Sequence, residues 1–468
     1  MPETTARPLT VLPEHPVRTL DDHLRRGGGA GIERAVALGS DGTVEEIRRS
    51  GLRGRGGGGF PTHRKWDGVR AQAGPRYVVA NGAEGEPGTF KDRAILRADP
   101  YQVIEGLIIA GFAVGAAAGY ACTKDAYGLE VEGLERAALE MQAAGMCETC
   151  SITVVRGPDA YLYGEEKAML EVIEGRAPLP RVLPPYEHGL FAGGPSQEWE
   201  SSSRSSTSPN ATVVNNVETL AHVSHILREG ADAFRATGTD ASPGTIVCTV
   251  VGDVPRAGVV EVPMGTPVSQ VIEAVGGAGY DRSAVKAVLS GVANPVLLGG
   301  RLDAALSYEG MADAGSGLGS AGLIVYAEDA CMVEVARQVS RFLAVESCGQ
   351  CLPCKEGSRK ITAHLELIEG GAGSADDVAE IARWARQVTD GSRCYLATQE
   401  QVVVASLLDA FPHEVEQHLA GQCPRPRELP FPKLLDIDDD GRAVVDEAQP
   451  RKLPDWTYGE VPVLLGPP

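Results

Sequence analysis

Three thiols fall within seven residues at Cys348-Gly-Gln-Cys351-Leu-Pro-Cys354, and a fourth, Cys394, follows 40 residues later. A cubane [4Fe–4S] cluster takes four thiolates on four corners, and one short loop can wrap three of them. A remote fourth ligand closes the cage and ties two helices together, so this spacing constrains the fold before any other feature is considered. A zinc site and unligated cysteines are the competing readings. Structural zinc usually draws on two paired knuckles, and here one side offers a single Cys. Lys355, Arg359, Lys360 and Arg393 lie beside these cysteines in sequence and would offset the negative charge of a cluster.

The rest of the composition narrows the class. The 468 residues carry 43 Lys+Arg against 63 Asp+Glu, a formal net charge of −20, which disfavours binding to nucleic acid. The most apolar stretch, 106–118, is too short to span a bilayer, so no direct membrane insertion is expected. Met1 to Pro8 shows no basic n-region and no apolar run follows, so no secretory signal is expected. Ten cysteines in such a chain point to a cytoplasmic, reducing setting, where clustered thiols serve metal or redox chemistry. Cys147 and Cys150 form a further C-x-x-C pair with no second pair, read as structural rather than redox-active.

Periodicity gives an α/β pattern up to about residue 240: a helix over 32–49, a strand over 77–80, a core helix over 101–119, a helix over 131–144 and a strand over 150–155. The segment 196–210 has seven Ser in fifteen residues and reads as a surface insertion, with a lid as the sharper alternative. Strands over 245–251, 259–263, 287–290 and 323–327 with a helix over 268–275 make a small α+β unit. Helices over 332–345, 357–368, 375–388 and 398–409 follow, with Ser374 and Asp377 as a capping box. The tail after Cys423 is Pro-rich, acidic and without a core of its own.

Four loops of small and polar residues fall in the first domain. Gly54-Arg55-Gly56-Gly57-Gly58-Gly59 satisfies G-x-G-x-x-G, but a helix rather than a strand precedes it, so it is not the dinucleotide fingerprint. Its bare backbone suits an anion or a flat ring, and Arg55 and Lys65 would bring positive charge to a phosphate. The others run from Asn81 through Glu84 and Glu86 to Arg93, from Tyr161 to Glu166, and from Val214 to Thr219. Acids at a helix start, such as Glu165 and Glu166, are usually caps. Four such loops together offer the amides and carboxylates that ribityl and ribose hydroxyls need, and fit a flavin nucleotide.

GLRGRGGGGFPTHRKW, NGAEGEPGTFKDR, YLYGEEKAMLE, VVNNVETLA and ESCGQCLPCKEGSRK, in that order, resemble the flavoprotein subunit of respiratory complex I and its counterparts in NAD-linked formate dehydrogenases and hydrogenases. The resemblance spans roughly 35–420. It implies a Rossmann-like FMN-binding α/β domain within 1–240, a ubiquitin-like β-grasp domain over 241–330, a helical [4Fe–4S] domain over 331–425 and a tail over 426–468. It also implies that Gly54, Arg55, Gly56, Gly57, Lys65, Asn81, Glu84, Tyr161, Gly164, Glu165, Glu166, Val214, Asn215 and Asn216 surround FMN. Phe60, Glu86, Glu166 and Tyr186 would face NADH, and Cys348, Cys351, Cys354 and Cys394 would bind the cluster. The implied reaction oxidises NADH at the flavin and passes the electrons singly through the cluster. The implied acceptor is an electron-transfer protein, either a thioredoxin-like [2Fe–2S] subunit or a ferredoxin, and an oligomer stays open.

This chain departs from the family pattern at five places. Ala83 stands where an Asp is typical, His63 replaces a Gly, Gly68 an aromatic, Leu183 a Lys, and Tyr186 another aromatic. The flavin and cluster motifs are intact, whereas the NADH motif is altered. Two other functions therefore stand beside NADH oxidation: a related reductase using ferredoxin or another organic substrate, and a non-enzymatic electron relay. His63 is a candidate proton donor because His titrates near neutrality. His188 and His222 are weaker candidates.

Overall fold

The computed structural model describes residues 9–192, 208–277, 279–423 and 427–458. Of the Ser-rich insertion only 208–210 lies within the described residues. The chain forms two compact units. One holds the chain up to Glu328 together with Ile437–Ala443, the other Asp329–Asp436 and the chain from Val444.

The first unit opens with helices α1 (Leu20–Arg25), α2 (Ala30–Ser50) and α3 (Thr62–Arg70). Strand β1 (Tyr77–Asn81), helices α4 (Lys91–Ala98) and α5 (Pro100–Val114), strand β2 (Ala118–Lys124), helix α6 (Gly128–Ala143) and strand β3 (Ser151–Gly157) follow. Helix α7 (Glu166–Ile173) leads to strand β4 (Thr212–Asn216), then α8 (Val217–Glu229) and α9 (Ala231–Arg235). The four strands are parallel in the order β3-β2-β1-β4. The chain thus runs outward from β1 to β3 and returns to the other side of β1, which makes the C-terminal edge between β1 and β4 a topological switch point. Open parallel sheets bind ligands there.

Helix α5 shows why this sheet is covered so tightly. Asp99 caps it, accepting from Tyr101 N and Gln102 N, and Pro100 takes the first turn, where a missing N–H costs nothing. Nearly every side chain on it is buried. A Cβ on Gly106 would fall 1.9 Å from the Leu220 carbonyl oxygen, so α5 and α8 cross backbone against backbone. The helix expected over 101–119 stops earlier, at Gly115 with φ +65°, and the remainder becomes β2.

The same unit contains a second sheet. Strands β5 (Thr245–Gly252) and β6 (Gly258–Pro263) form a hairpin, and α10 (Val268–Gly276) packs on them. Strands β7 (Val285–Ser290) and β8 (Leu297–Leu298), helix α11 (Tyr308–Asp313) and strand β9 (Gly322–Ala327) complete it, in the order β6-β5-β9-β7-β8. The parallel β5–β9 pair at its centre, with a helix on one face, is a ubiquitin-like β-grasp.

The second unit is helical: α12 (Met332–Glu346), α13 (Leu352–Glu369), α14 (Ala375–Gln387), α15 (Leu396–Ala410) and α16 (Pro412–Leu419). Ser374 and Asp377 form the expected capping box on α14. The tail borrows this unit's core: Phe431 packs on Phe342 with ring centroids 5.1 Å apart, and Lys452 pairs with buried Glu346 at 2.8 Å. No described helix is long and apolar enough to cross a membrane.

Candidate flavin and cluster sites

The glycine-rich loop is a narrow excursion between α2 and α3. Gly54 N–H donates to the Phe60 carbonyl and Thr62 N–H to that of Leu52, which pins both ends. Gly59, at φ +59°, lies where a Cβ would meet the Tyr308 ring at 2.5 Å, so only glycine fits. The Tyr308 hydroxyl donates to the Gly54 carbonyl at 2.6 Å, and the Arg53 guanidinium stacks 4.0 Å over the same ring. A Cβ at Gly58 would meet nothing within 4 Å, so this part of the loop presents backbone to open space.

The loop lies against the switch point. A Cβ on Gly56 would approach Asn216 Cβ to 3.1 Å, and Asn216 pairs in register with Asn81 at the ends of β4 and β1. Asn81 Nδ2 donates to the Gly164 carbonyl at 2.8 Å, bringing the Tyr161–Gly164 turn to the same edge. Lys65 Nζ reaches Glu166 Oε2 at 2.6 Å and the Val214 carbonyl at 2.8 Å. Asn215 Oδ1 accepts from Trp66 Nε1 at 3.0 Å. Glu165 is the N-cap of α7, accepting from Lys167 N and Ala168 N, and burial pushes its carboxyl up to about 7.

Two expected site residues are turned elsewhere. The Arg55 guanidinium is bound by the carbonyls of Arg53, Pro243 and Thr245, and the residue is 1 % exposed. Its charge is therefore not offered to a phosphate as expected; it fastens the loop to the start of β5, while its N–H is held by Thr219 Oγ1. The Glu84 carboxylate is taken up by Arg93 Nε and by the N–H groups of Asp92 and Arg93. Both residues bear on the loops through their placement of backbone.

Glu86 is held from the folds of both sheets of the first unit. Tyr161 Oη donates to its Oε2 at 2.6 Å, and Val292 N–H, from the β-grasp fold, donates to its Oε1 at 2.7 Å. Phe60 stands exposed at the loop mouth. Tyr186 is exposed too, but its chain is anchored at the other end of β4, where the Pro185 carbonyl accepts from Thr212 N–H. Burial lowers the pKa of His63, and the charges acting on it belong to Arg48, Asp67, Arg64 and Glu45, which disfavours a proton donor. His188 and His222 are buried core residues. Cys147 and Cys150 are buried and form no disulfide.

A buried ionic group under the two strand ends escaped the sequence reading. Lys91 Nζ bonds Asp92 Oδ1 at 2.7 Å, Glu218 Oε2 at 2.9 Å and Asn216 Oδ1 at 3.2 Å. Burial pushes Asp92 up to about 6, with Lys91 opposing. Burial also works against ionised Glu218, yet the Lys91 charge prevails and holds it down at about 2. The signal was present, since Lys91, Asp92 and Glu218 all lie inside recognised motifs, but nothing in the sequence pairs them.

In the helical unit Cys348 follows α12, Cys351 is the N-cap of α13, Cys354 sits in the first turn of that helix, and Cys394 precedes α15. Helix α15 packs on α12 and α13, which brings the remote cysteine to the bundle that carries the other three. Without iron, burial pushes the Cys354 thiol up to about 11. Lys355 Nζ braces the loop through the carbonyls of Ala344, Ser347 and Pro454, while Arg359 pairs with Glu356.

Buried Glu400 lies on α15 with Oε1 bonded to Ser340 Oγ at 2.6 Å, and burial pushes its carboxyl up to about 8. The folded chain holds this proton above the ordinary value of 4.5, where the unfolded chain has released it. Stability from this group is thus full below that value and is lost as pH rises towards 8, at about 1.4 kcal/mol per pH unit. Unfolding of Glu400→Gln, followed by circular dichroism from acid to mildly alkaline pH, is expected to lack that slope. An unchanged slope would refute the assignment.

Residues 47–225 match the family model described as the Nuo51 FMN-binding domain, residues 247–289 the SLBB domain, and residues 334–418 the NADH-ubiquinone oxidoreductase-F iron-sulfur binding region. The chain is 37 % identical over 424 residues to the F 2 subunit of NADH-quinone oxidoreductase in Rhizobium meliloti, covering 86 % of this chain and 96 % of that protein. It is 34 % identical over 419 residues to HndC, a subunit of the NADP-reducing hydrogenase of Solidesulfovibrio fructosivorans, covering 87 % and 82 %. Among solved structures, a chain of an NAD+-reducing [NiFe]-hydrogenase in the H2-reduced state superposes with a TM-score of 0.75 at 30 % identity, covering 89 % of this chain and 68 % of that one.

Proposed function

The chain belongs to the family of NADH-quinone oxidoreductase F subunits, and on that premise we propose that it oxidises NADH at a bound FMN and delivers the electrons singly, through a [4Fe–4S] cluster, to a partner protein. The observation that carries this reading is the meeting of a side-chain-free loop with the amide-bearing ends of β1 and β4 at the switch point of a parallel sheet. The groups present suit FMN: loop N–H groups, the Lys65 ammonium and the amides of Asn81, Asn215 and Asn216 as donors, and the carboxylates at the start of α7 as acceptors. When bound, FMN supplies the exchange between two-electron and one-electron chemistry that side chains lack.

The residues of this chain bind and orient. Gly54, Gly56, Gly57 and the backbone of Arg55 form the floor of the site, with Tyr161, Gly164 and Val214 at its edge and Glu84 fixing the loop beneath. Glu165 and Glu166 offer acceptors to hydroxyls. Glu86, clamped by Tyr161 and Val292, stands with Phe60, Glu166 and Tyr186 as the face for the nicotinamide nucleotide. Cys348, Cys351, Cys354 and Cys394 hold the cluster. We assign FMN binding to 1–240, the β-grasp to 241–330, the cluster to 331–425 and a Pro-rich acidic tail to 426–468; the three family matches fall inside the first three. The partner is a thioredoxin-like [2Fe–2S] protein or a ferredoxin, in the cytoplasm, where clustered cysteines serve as metal ligands rather than as disulfides.

The test is an anaerobic titration of cluster-replete protein with NADH, following the visible flavin band. Stoichiometric bleaching is expected. No bleaching, with dithionite still reducing both centres, would move the donor to ferredoxin or a small organic molecule. That second reading rests on Leu183, apolar and exposed, and on Gly68, where a Cβ would meet nothing within 4 Å.

A further inference from the structure

A second set of metal-ligand side chains stands apart from the cluster cysteines. Cys331 is the N-cap of α12, with its Sγ accepting from Glu334 N–H at 3.5 Å. His418, in the last turn of α16, is 1 % exposed. Its Nδ1 lies 3.0 Å from the Glu369 carbonyl oxygen, a contact that only Nδ1–H can make. Nε2 therefore carries a lone pair, and it faces Cys331 Sγ at 3.2 Å. Cys423 follows the turn after α16, and its Sγ, Cys331 Sγ and His418 Nε2 all lie within 4.8 Å of one another.

We propose that Cys331, His418 and Cys423 bind one Zn2+, with water completing the tetrahedron. Zinc bonds of about 2.3 Å to sulfur and about 2.0–2.1 Å to nitrogen set ligand atoms roughly 3.3–3.8 Å apart, so small shifts of this triangle close the site: the 3.2 Å Cys331–His418 edge opens slightly, and the edges to Cys423 settle into the same range. Two thiolates and an imidazole select a borderline-soft ion over magnesium or calcium. A carbonyl behind the imidazole, fixing its tautomer, is the outer-shell arrangement that metal-binding histidines use. On binding, each thiol releases one proton to solvent, two thiolates balance the two charges of the ion, and no electron moves. The ion would tie the start of α12 to the end of α16, while Cys348 lies just beyond the other end of α12. It acts as a staple in the unit that carries the cluster, not as a redox centre.

The test measures iron, sulfide and zinc on one sample of full-length, cluster-replete protein produced with zinc in the medium. About one zinc beside about four irons per chain is expected. Cys423→Ser, which changes an exposed side chain, is expected to lower zinc at least about tenfold with iron unchanged. Loading with cobalt in place of zinc is expected to give a thiolate-to-cobalt charge-transfer band that this variant lacks. Zinc absent from the wild type would overturn the proposal. So would zinc retained by Cys423→Ser, or zinc lost only on replacing Cys351, which would place the ion at the cluster cysteines.

Discussion

Lys91→Met is expected to cost the flavin-binding unit about 3–5 kcal/mol and to strip FMN from the purified protein. The ammonium is 1 % exposed and bonds two carboxylates and the Asn216 amide oxygen. Methionine fills much of the volume but leaves Asp92 and Glu218 facing each other without a cation. Asn216, whose Nδ2 bonds Asp92 Oδ2 at 2.8 Å, would move with them, and it marks the end of β4. The pH dependence has a definite sign. In the wild type, Glu218 held at about 2 contributes stability above its ordinary 4.5, and this is lost as pH falls towards 2. Without Lys91 both carboxyls titrate above their unfolded values, so the variant should recover relative to wild type as pH falls. Adding Glu218→Gln should restore part of the loss, a coupling a double-mutant cycle would measure. Equal unfolding midpoints for wild type and Lys91→Met would show that the ionic group carries no load.

Cys394→Ser is the second large effect. On the proposed ligand set the cage then keeps three thiolates, all from the segment 348–354 that leads into α13, and iron per chain should fall clearly below the roughly four of an intact cluster. Cys394 is only half-buried, so the bundle itself should survive, with helix content by circular dichroism unchanged. On the proposed function the flavin remains reducible by NADH, whereas delivery to a one-electron protein acceptor collapses. Undiminished iron and sulfide in this variant would remove Cys394 from the ligand set.

The elements with local signatures were legible in the sequence. Four of the five described helices of the second unit follow from apolar spacing and, for α14, from a capping box whose two members are three residues apart, whereas the short α16 was not expected. The helix before the glycine-rich loop was legible too, and it is what set the loop apart from a dinucleotide fingerprint. Strand β2 was not, because Ala-Gly-Tyr-Ala-Cys-Thr-Lys has few branched side chains and follows a helix with no apolar break. The fate of Arg55 was hidden for another reason: its acceptors Pro243 and Thr245 lie in a different fold. A basic residue in a glycine loop looks like an anion ligand until such distant carbonyls are placed. The Lys91 group has the same character, since burial decides its role and burial is a tertiary property.

The double grip on Glu86 and the hydroxyl of Tyr308 on Gly54 have a consequence for maturation. Val292 and Tyr308 belong to the β-grasp fold, and neither is needed to form the parallel sheet. A nascent chain that has completed only its first 240 residues would have the strand ends in place but a slack loop and an unanchored carboxylate. Flavin capture then becomes a checkpoint: the cofactor stays only on chains whose second sheet has also closed. Lesions in the β-grasp core should surface as protein that keeps its iron but lacks the flavin band.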